Sequence, residues 1–189
     1  MSTSTRLTME QYDEMIRRGA FLPREEHHVE LIYGEILPMS PIGPPHNATV
    51  YELNDWSFEV LPRKAVYVGP QGAIGIPALD SEPEHDLVWV RRKDCRLQHP
   101  RPEDVLLVVE VADSSLAKDR GLKARLYSEA GIADYWVVNL PDRTVEVRRD
   151  PLGPAYRSVA SFGVGEEVCP LAFPAAVLPV SRLFPEETP

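Results

Sequence analysis

Val105-Leu106-Leu107-Val108-Val109-Glu110-Val111-Ala112 decides how the rest of the sequence is read. An unbroken Val/Leu run of this length is the pattern of a central strand covered on both faces; a half-exposed strand would alternate apolar with polar residues. Glu110 is the exception inside it. Taken out of water without a partner, a carboxylate is driven to neutralise, so the sequence has to supply a cation, a metal ion or a dense set of donors.

Outward from this strand, candidates stand on both sides. Upstream, the acidic turn Asp80–Glu84 delivers Asp86 to the front of Leu87-Val88-Trp89-Val90, an apolar run of strand length. Downstream, residues 116–130 read as a helix, with Asp113, Ser114 or Ser115 as its cap and Gly131 as its stop. Within it Asp119, Lys123 and Tyr127 recur at i, i+4 and i+8 beside the apolar pair Leu122 and Leu126. Neighbouring strands would bring Asp86 and Glu110 to one edge of a sheet, and the helix would lay Lys123 over the strand ends. Two close carboxylates repel. A hard divalent cation, magnesium or manganese, relieves that repulsion and leaves coordination positions for water and phosphate oxygens. A lysine beside them can orient an attacking water or stabilise phosphorane charge. Each residue also has an ordinary reading: Asp86 as a turn residue, Glu110 as a structural carboxylate paired with an arginine, Lys123 as part of a solvated basic face. Their joint order is what points to chemistry.

The remaining elements frame these. Thr8 and Gln11 form a capping box for a short N-terminal helix within residues 1–20 that ends at Gly19. A link at Pro23-Arg24-Glu25-Glu26 leads to a hairpin, Val29–Ile32 and Glu35–Met39, turning at Tyr33-Gly34. Pro44-Pro45 starts a helix that places His46, Val50, Leu53 and Ser57 on one face. Val66–Val68 reads as a strand interrupted by Gly69-Pro70 and Gly72, with a further short strand or extended piece at Ile74–Ile76. Tyr135–Leu140 and Thr144–Val147 form a strand pair, and residues 150–189 an irregular, proline-rich tail packed on the body. The order predicts a mixed α/β fold, a central mixed sheet flanked by helices, in one domain over 1–189.

Composition narrows the function classes. A hydrophobic fraction of 43% over 189 residues supplies a sizeable core, and the sequence shows neither a membrane-spanning run nor a signal-peptide core, so a soluble cytoplasmic protein is expected. Cys95 and Cys169, the only cysteines, suggest neither a disulfide framework nor a cysteine zinc site. A net charge of -9 argues against a general nucleic-acid coat protein. It leaves room for a nuclease whose carboxylates line the cleft and whose basic residues, Arg91-Arg92-Lys93 and Lys118/Arg120/Lys123/Arg125, stand on a rim. No G-x-G-x-x-G or P-loop pattern supports nucleotide binding.

Several stretches in combination resemble the Uma-type family, bacterial proteins assigned to the restriction-endonuclease-like PD-(D/E)XK superfamily. They are Glu30–Glu35, Ser40-Pro41 with His46, Glu82–Val88, Val108–Ser115, Asp119–Tyr127 and Ala130–Val138, and the likeness runs from Leu7 to Val147. It implies a restriction-endonuclease-like fold in which Asp86 is the acid of the PD element and Glu110 the acid of the (D/E)XK element, both holding metal. Two positions depart from the pattern. His85 replaces the proline before the aspartate, and Ala112 occupies the place of the motif lysine, a role that the family is taken to supply from the next helix, at Lys123. Glu30 matches the family's first acidic position, with a hydrogen-bonded hairpin carboxylate as its ordinary reading.

The expectation is therefore a Mg²⁺- or Mn²⁺-dependent DNA endonuclease. Asp86, Glu110 and the carbonyl of Val111 would hold the metal, Lys123 would orient the water, and Glu30 would assist. His46, Asp119 and Tyr127 stand in reserve as supporting or phosphate contacts. DNA is the expected partner, and a homodimer or higher homo-oligomer suits the cutting of two strands. A catalytically inactive DNA- or protein-binding module is the alternative, and a metal-free hydrolase with paired carboxylates ranks third.

Overall fold

The computed structural model of the chain describes residues 6–22, 28–62 and 64–184. Residues 1–5, the link expected at 23–26 and the last five residues of the tail lie outside the described residues. Helix α1 (Met9–Arg17) starts with the expected capping box, in which the Thr8 hydroxyl accepts from the Gln11 N–H and the Gln11 side chain accepts from the Thr8 N–H. The hairpin β1 (Val29–Ile32) and β2 (Glu35–Pro38) turns through Tyr33 and Gly34, both at positive φ, as a two-residue hairpin of matching twist requires. Gly34 is also needed for space: a Cβ there would meet the Leu7 carbonyl oxygen at 2.8 Å. The Leu7 N–H donates to the Gly34 carbonyl at 2.8 Å, which ties the entry of α1 to the hairpin.

Helix α2 (Pro44–Val60) precedes six strands that pair in chain order. These are β3 (Val66–Ala73), β4 (Glu84–Arg91), β5 (Val105–Ala112), β6 (Asp134–Asn139), β7 (Thr144–Leu152) and β8 (Ala155–Gly163). Of these only β5 and β6 run parallel, and the connection between them is helix α3, residues 116–129, as a parallel pair demands. The Glu110 strand lies inside the sheet with Leu107, Val108 and Val109 fully buried. Its alternate residues serve two cores. Leu107, Val109 and Val111 pack with Trp56, Trp89 and Trp136 on the α2 side, while Val108 and Ala112 pack with Leu126, Tyr127 and Tyr135 on the α3 side. Glu110 belongs to the second set, so its carboxylate faces α3.

Several expectations are corrected. β3 runs unbroken through Gly69-Pro70, because it is an edge strand and Pro70 has no ladder bond to lose on its free side. Residues 74–76 form no strand, only an isolated bridge from Ile76 to Ser81. β4 begins at Glu84, so Asp86 sits inside the strand and not ahead of it. The tail expected to be irregular contributes the end of β7 and the whole of β8 to the main sheet, followed by the short pair β9 (Glu167–Val168) and β10 (Leu178–Pro179). Among the described residues no helix is long and apolar enough to cross a membrane.

Candidate active site

β4 and β5 pair from Val90–Val105, across a register shift at Trp89, to Leu87–Val109, and beyond that point β4 continues toward β3 alone. Where the ladder opens, the Asp86 carboxylate takes over: its Oδ2 accepts from the Val111 N–H at 2.7 Å. In a strand the N–H and C=O of one residue point the same way, so the Val111 carbonyl also faces the β4 side. Asp86 Oδ1 lies 3.1 Å from His46 Nε2, on the first turn of α2.

Glu110 is 3% exposed and Lys123 4%. Lys123 Nζ reaches Glu110 Oε2 at 3.0 Å and Glu30 Oε2 at 3.6 Å, and donates to the Glu84 carbonyl at 2.5 Å. The Tyr127 hydroxyl donates to Glu110 Oε1 at 2.8 Å. Glu30, fully buried, accepts from the Glu84 N–H at 3.0 Å and pairs through Oε1 with Lys118. The partner demanded by the charge in the apolar strand is therefore Lys123, supported by a tyrosine.

The helix that delivers Lys123 is not regular. An α-turn at Leu116–Lys118 opens into a π-helical stretch, Asp119–Lys123, before α-geometry resumes at Ala124–Glu129. The Tyr135 hydroxyl donates to the Asp119 carbonyl at 2.9 Å, at the start of the widened turn. Residues five apart stack in π geometry, so Lys118 and Lys123 both reach Glu30. Ser115 is the N-cap by position, but it makes no capping bond; its hydroxyl donates to Asp119 Oδ2 at 2.5 Å. The side-chain cap expected from residues 113–115 is thus absent, because the serine is used on the site's own carboxylate.

Asp86, Glu110, Lys123, Glu30, Val111, His46 and Asp119 line one small cavity of about 60 Å³, along with Lys118 and Glu84. Space of that size takes several waters or a hydrated ion. Of the predicted residues only Tyr127 stands behind it, reaching the site through Glu110. Sequence reading missed Lys118, assigned to the rim, and the main chain of Glu84. Of the rest of that expected rim, Arg120 pairs with Glu146 and Arg125 with Glu129.

Charge in the cavity is unbalanced. Glu30, Glu84, Asp86, Glu110, Asp113 and Asp119 bring six carboxyl groups to it, against two lysines, Lys118 and Lys123. Burial raises Glu110 well above the usual carboxylate range against the pull of Lys123, with Asp119 and Asp86 adding to the rise. Asp119 is raised for the same reasons, burial first. Burial alone would lower Lys123, yet Glu110, Glu30, Asp119 and Asp86 hold it above its ordinary value. Burial, with Lys123 nearby, pushes His85 down to about 3, so this histidine is neutral.

The donor set suits a small hard divalent cation. Carboxyl groups outnumber lysines, the available groups are carboxylate and main-chain oxygens, and each carboxylate oxygen keeps a second lone pair beyond its present partner. Among the described residues no three His, Cys, Asp or Glu side chains form a ready-made cage. Magnesium does not require one, since it is ordinarily held by one or two carboxylates with water or phosphate completing the shell.

A family model described as "putative restriction endonuclease", Uma2, matches residues 9–181. The chain belongs to the Uma2 family. Its fold is restriction-endonuclease-like: the crystal structure of a "putative nuclease belonging to DUF820" from Anabaena variabilis superposes with a TM-score of 0.70 at 16% identity, covering 94% of this chain and 97% of that one. At that identity the likeness speaks for the fold alone. Among curated proteins none matches the chain. The Uma2 match extends past Val147, where the sequence resemblance ends, and takes in β7 and β8.

Outside the cavity, Glu82 carries a testable charge. It is 4% exposed, and burial followed by the proximity of Asp13 and Glu84 pushes its pKa from 4.5 up to about 8. A raised carboxyl favours the protonated fold, so this contribution is fully present below pH 4.5 and is lost as pH rises through 8. Urea unfolding of this Uma2 protein is expected to lose on the order of 3 kcal/mol across that window through Glu82, since about 1.36 kcal/mol per pH unit sets an upper bound of about 5 kcal/mol that relaxation and solvent screening reduce. Glu82→Gln is expected to flatten the profile; an unchanged slope would remove Glu82 as its source.

Proposed function

We propose that this Uma2 protein is a metal-dependent endonuclease that hydrolyses DNA phosphodiesters at the cavity between β4, β5 and α3. The observation that carries the reading is the convergence of Asp86, Glu110 and Lys123 from three elements on one small cavity lined by more carboxyl groups than lysines. Asp86, Glu110 and the Val111 carbonyl would hold Mg²⁺ or Mn²⁺. Bound there, the metal would supply Lewis-acid stabilisation of phosphate charge and a more acidic water.

The chain's own residues divide the remaining work. Lys123 stays charged and so is no base; it donates to the attacking water or to a non-bridging phosphate oxygen, where a fixed cation offsets the charge that develops. Glu110 and the Glu84 carbonyl fix the position of Lys123, and Tyr127 fixes Glu110. Glu30 holds Lys118 and Lys123 apart as the shared acceptor. His46, with Nε2 toward Asp86, orients that carboxylate.

A second reading, a binding module without catalysis, has one observation in its favour: every oxygen of Asp86 and Glu110 already has a protein partner, as in a satisfied structural network. Plasmid cleavage separates the two. Supercoiled DNA is expected to be nicked with Mg²⁺ or Mn²⁺ and left intact with EDTA, and Glu110→Gln is expected to lower the rate at least about a hundredfold. Equal nicking by wild type and Glu110→Gln would assign the activity to a contaminant and favour the binding module.

A further inference from the structure

We propose that the wide cleft beside the cavity seats an unpaired stretch of a DNA strand, gripping its bases more than its phosphates. The cleft measures about 1010 Å³ and lies between α1, the end of β3 and the loop at 95–101. Glu84 and Asp86 line both it and the small cavity, so it opens directly onto the candidate active site.

Its chemistry selects the ligand. Four exposed apolar side chains, Ile16, Leu22, Ile42 and Leu97, gather on its walls, and Leu97 is 99% exposed. Apolar surface concentrated around one groove marks a binding site. Phe21 adds an aromatic face, held 5.5 Å from the ring of Tyr12. Gln71, Gln98 and His99 supply donors and acceptors.

The charge balance argues against duplex DNA. Binding to a duplex draws most of its strength from Lys and Arg that neutralise phosphates. Among the described residues three arginines line the cleft, and two are already committed: Arg17 to Glu14 and Arg96 to Asp94. Asp13, Glu82, Glu84 and Asp86 face them, on a chain of net charge -9. Paired bases hide their faces in the stack. Unpaired bases expose both their faces and their Watson–Crick edges, which an apolar, amide-bearing groove can hold with little net positive charge.

The inference takes its substrate from the nuclease reading, so its test measures binding apart from turnover. Fluorescence anisotropy with a labelled single-stranded oligonucleotide and the matching duplex, with calcium in place of magnesium, is expected to show the single strand binding at least about tenfold tighter. The salt slope for the single strand should be no steeper than about -2, the limit reached if all three lining arginines turned to phosphates. Leu97→Asp is expected to weaken that binding about tenfold, and Leu152→Asp, an exposed position on β7 away from the cleft, to leave it unchanged. Equal or tighter duplex binding, a single strand that fails to bind, or indifference to Leu97→Asp overturns the cleft inference even if DNA is cleaved. Selective strand binding without cleavage supports it and counts against the nuclease reading alone.

Discussion

Lys123→Met is expected to abolish DNA cleavage and to lower the unfolding free energy by about 3–5 kcal/mol. The side chain is nearly isosteric, so the loss is one of charge and not of volume. Among the described residues Lys123 is the only cation that the structure places on Glu110, at 3.0 Å, and it shares Glu30 with Lys118. Without it Glu110 keeps only the Tyr127 hydroxyl, and a buried carboxylate with one neutral donor is held at high cost or protonates. The Glu84 carbonyl loses its donor as well. A second substitution separates stability from chemistry. In Glu110→Gln/Lys123→Met the orphaned charge is gone, and the urea midpoint is expected to recover much of its loss while cleavage stays absent. If the double variant regains cleavage, Lys123 serves only to neutralise Glu110 and orients nothing. If the single variant costs less than about 1 kcal/mol, well below what breaking a buried pair costs, that pair is not what sustains Glu110 in the sheet.

The strand that carries Glu110 was legible because two-sided burial leaves a continuous apolar run, and the charge inside it was legible because nothing else in that run is polar. Asp86 and Lys123 followed from order along the chain, since adjacent strands and a crossover helix bring such positions together at the strand ends. Lys118 was not legible. At about 3.6 residues per turn it lies on a different helix face from Lys123, and only the π turn at Asp119–Lys123 aligns the two on Glu30. That turn depends on tertiary contacts, including Tyr135 from the next strand, which local pattern does not reveal. β3 was broken too early for a related reason: Gly69-Pro70 forbids a central strand but not an edge one, and edge position is a property of the whole sheet. β8 was missed because, apart from the buried Tyr156, it is largely exposed and rich in small and polar residues, so it carries little hydrophobic signal.

Asp86→Asn bears on the metal directly, by a readout that needs no turnover. Cation binding to the folded chain alone raises stability by RT ln(1 + [M]/Kd), about 2.7 kcal/mol at a hundred times Kd, which for a chain of this size moves the thermal midpoint by about 5–10 °C. Calorimetry of the wild type with Mn²⁺ is expected to show that rise. The asparagine keeps an oxygen for the Val111 N–H and presents its amide to His46, which can accept in the other tautomer, so the fold is expected to hold to within about 1 kcal/mol. What it removes is one of the two carboxylates proposed to hold the cation. The Mn²⁺-induced rise is expected to vanish and cleavage with it. An undiminished rise would put the cation elsewhere on the chain, and no rise in the wild type would leave the carboxylates of the cavity to Lys118, Lys123 and protons. Because Asp86→Asn leaves Lys123, Glu110 and Glu30 untouched, a variant that folds normally, ignores Mn²⁺ and fails to cut would tie the cation and the chemistry to one residue at the point where the β4–β5 ladder opens.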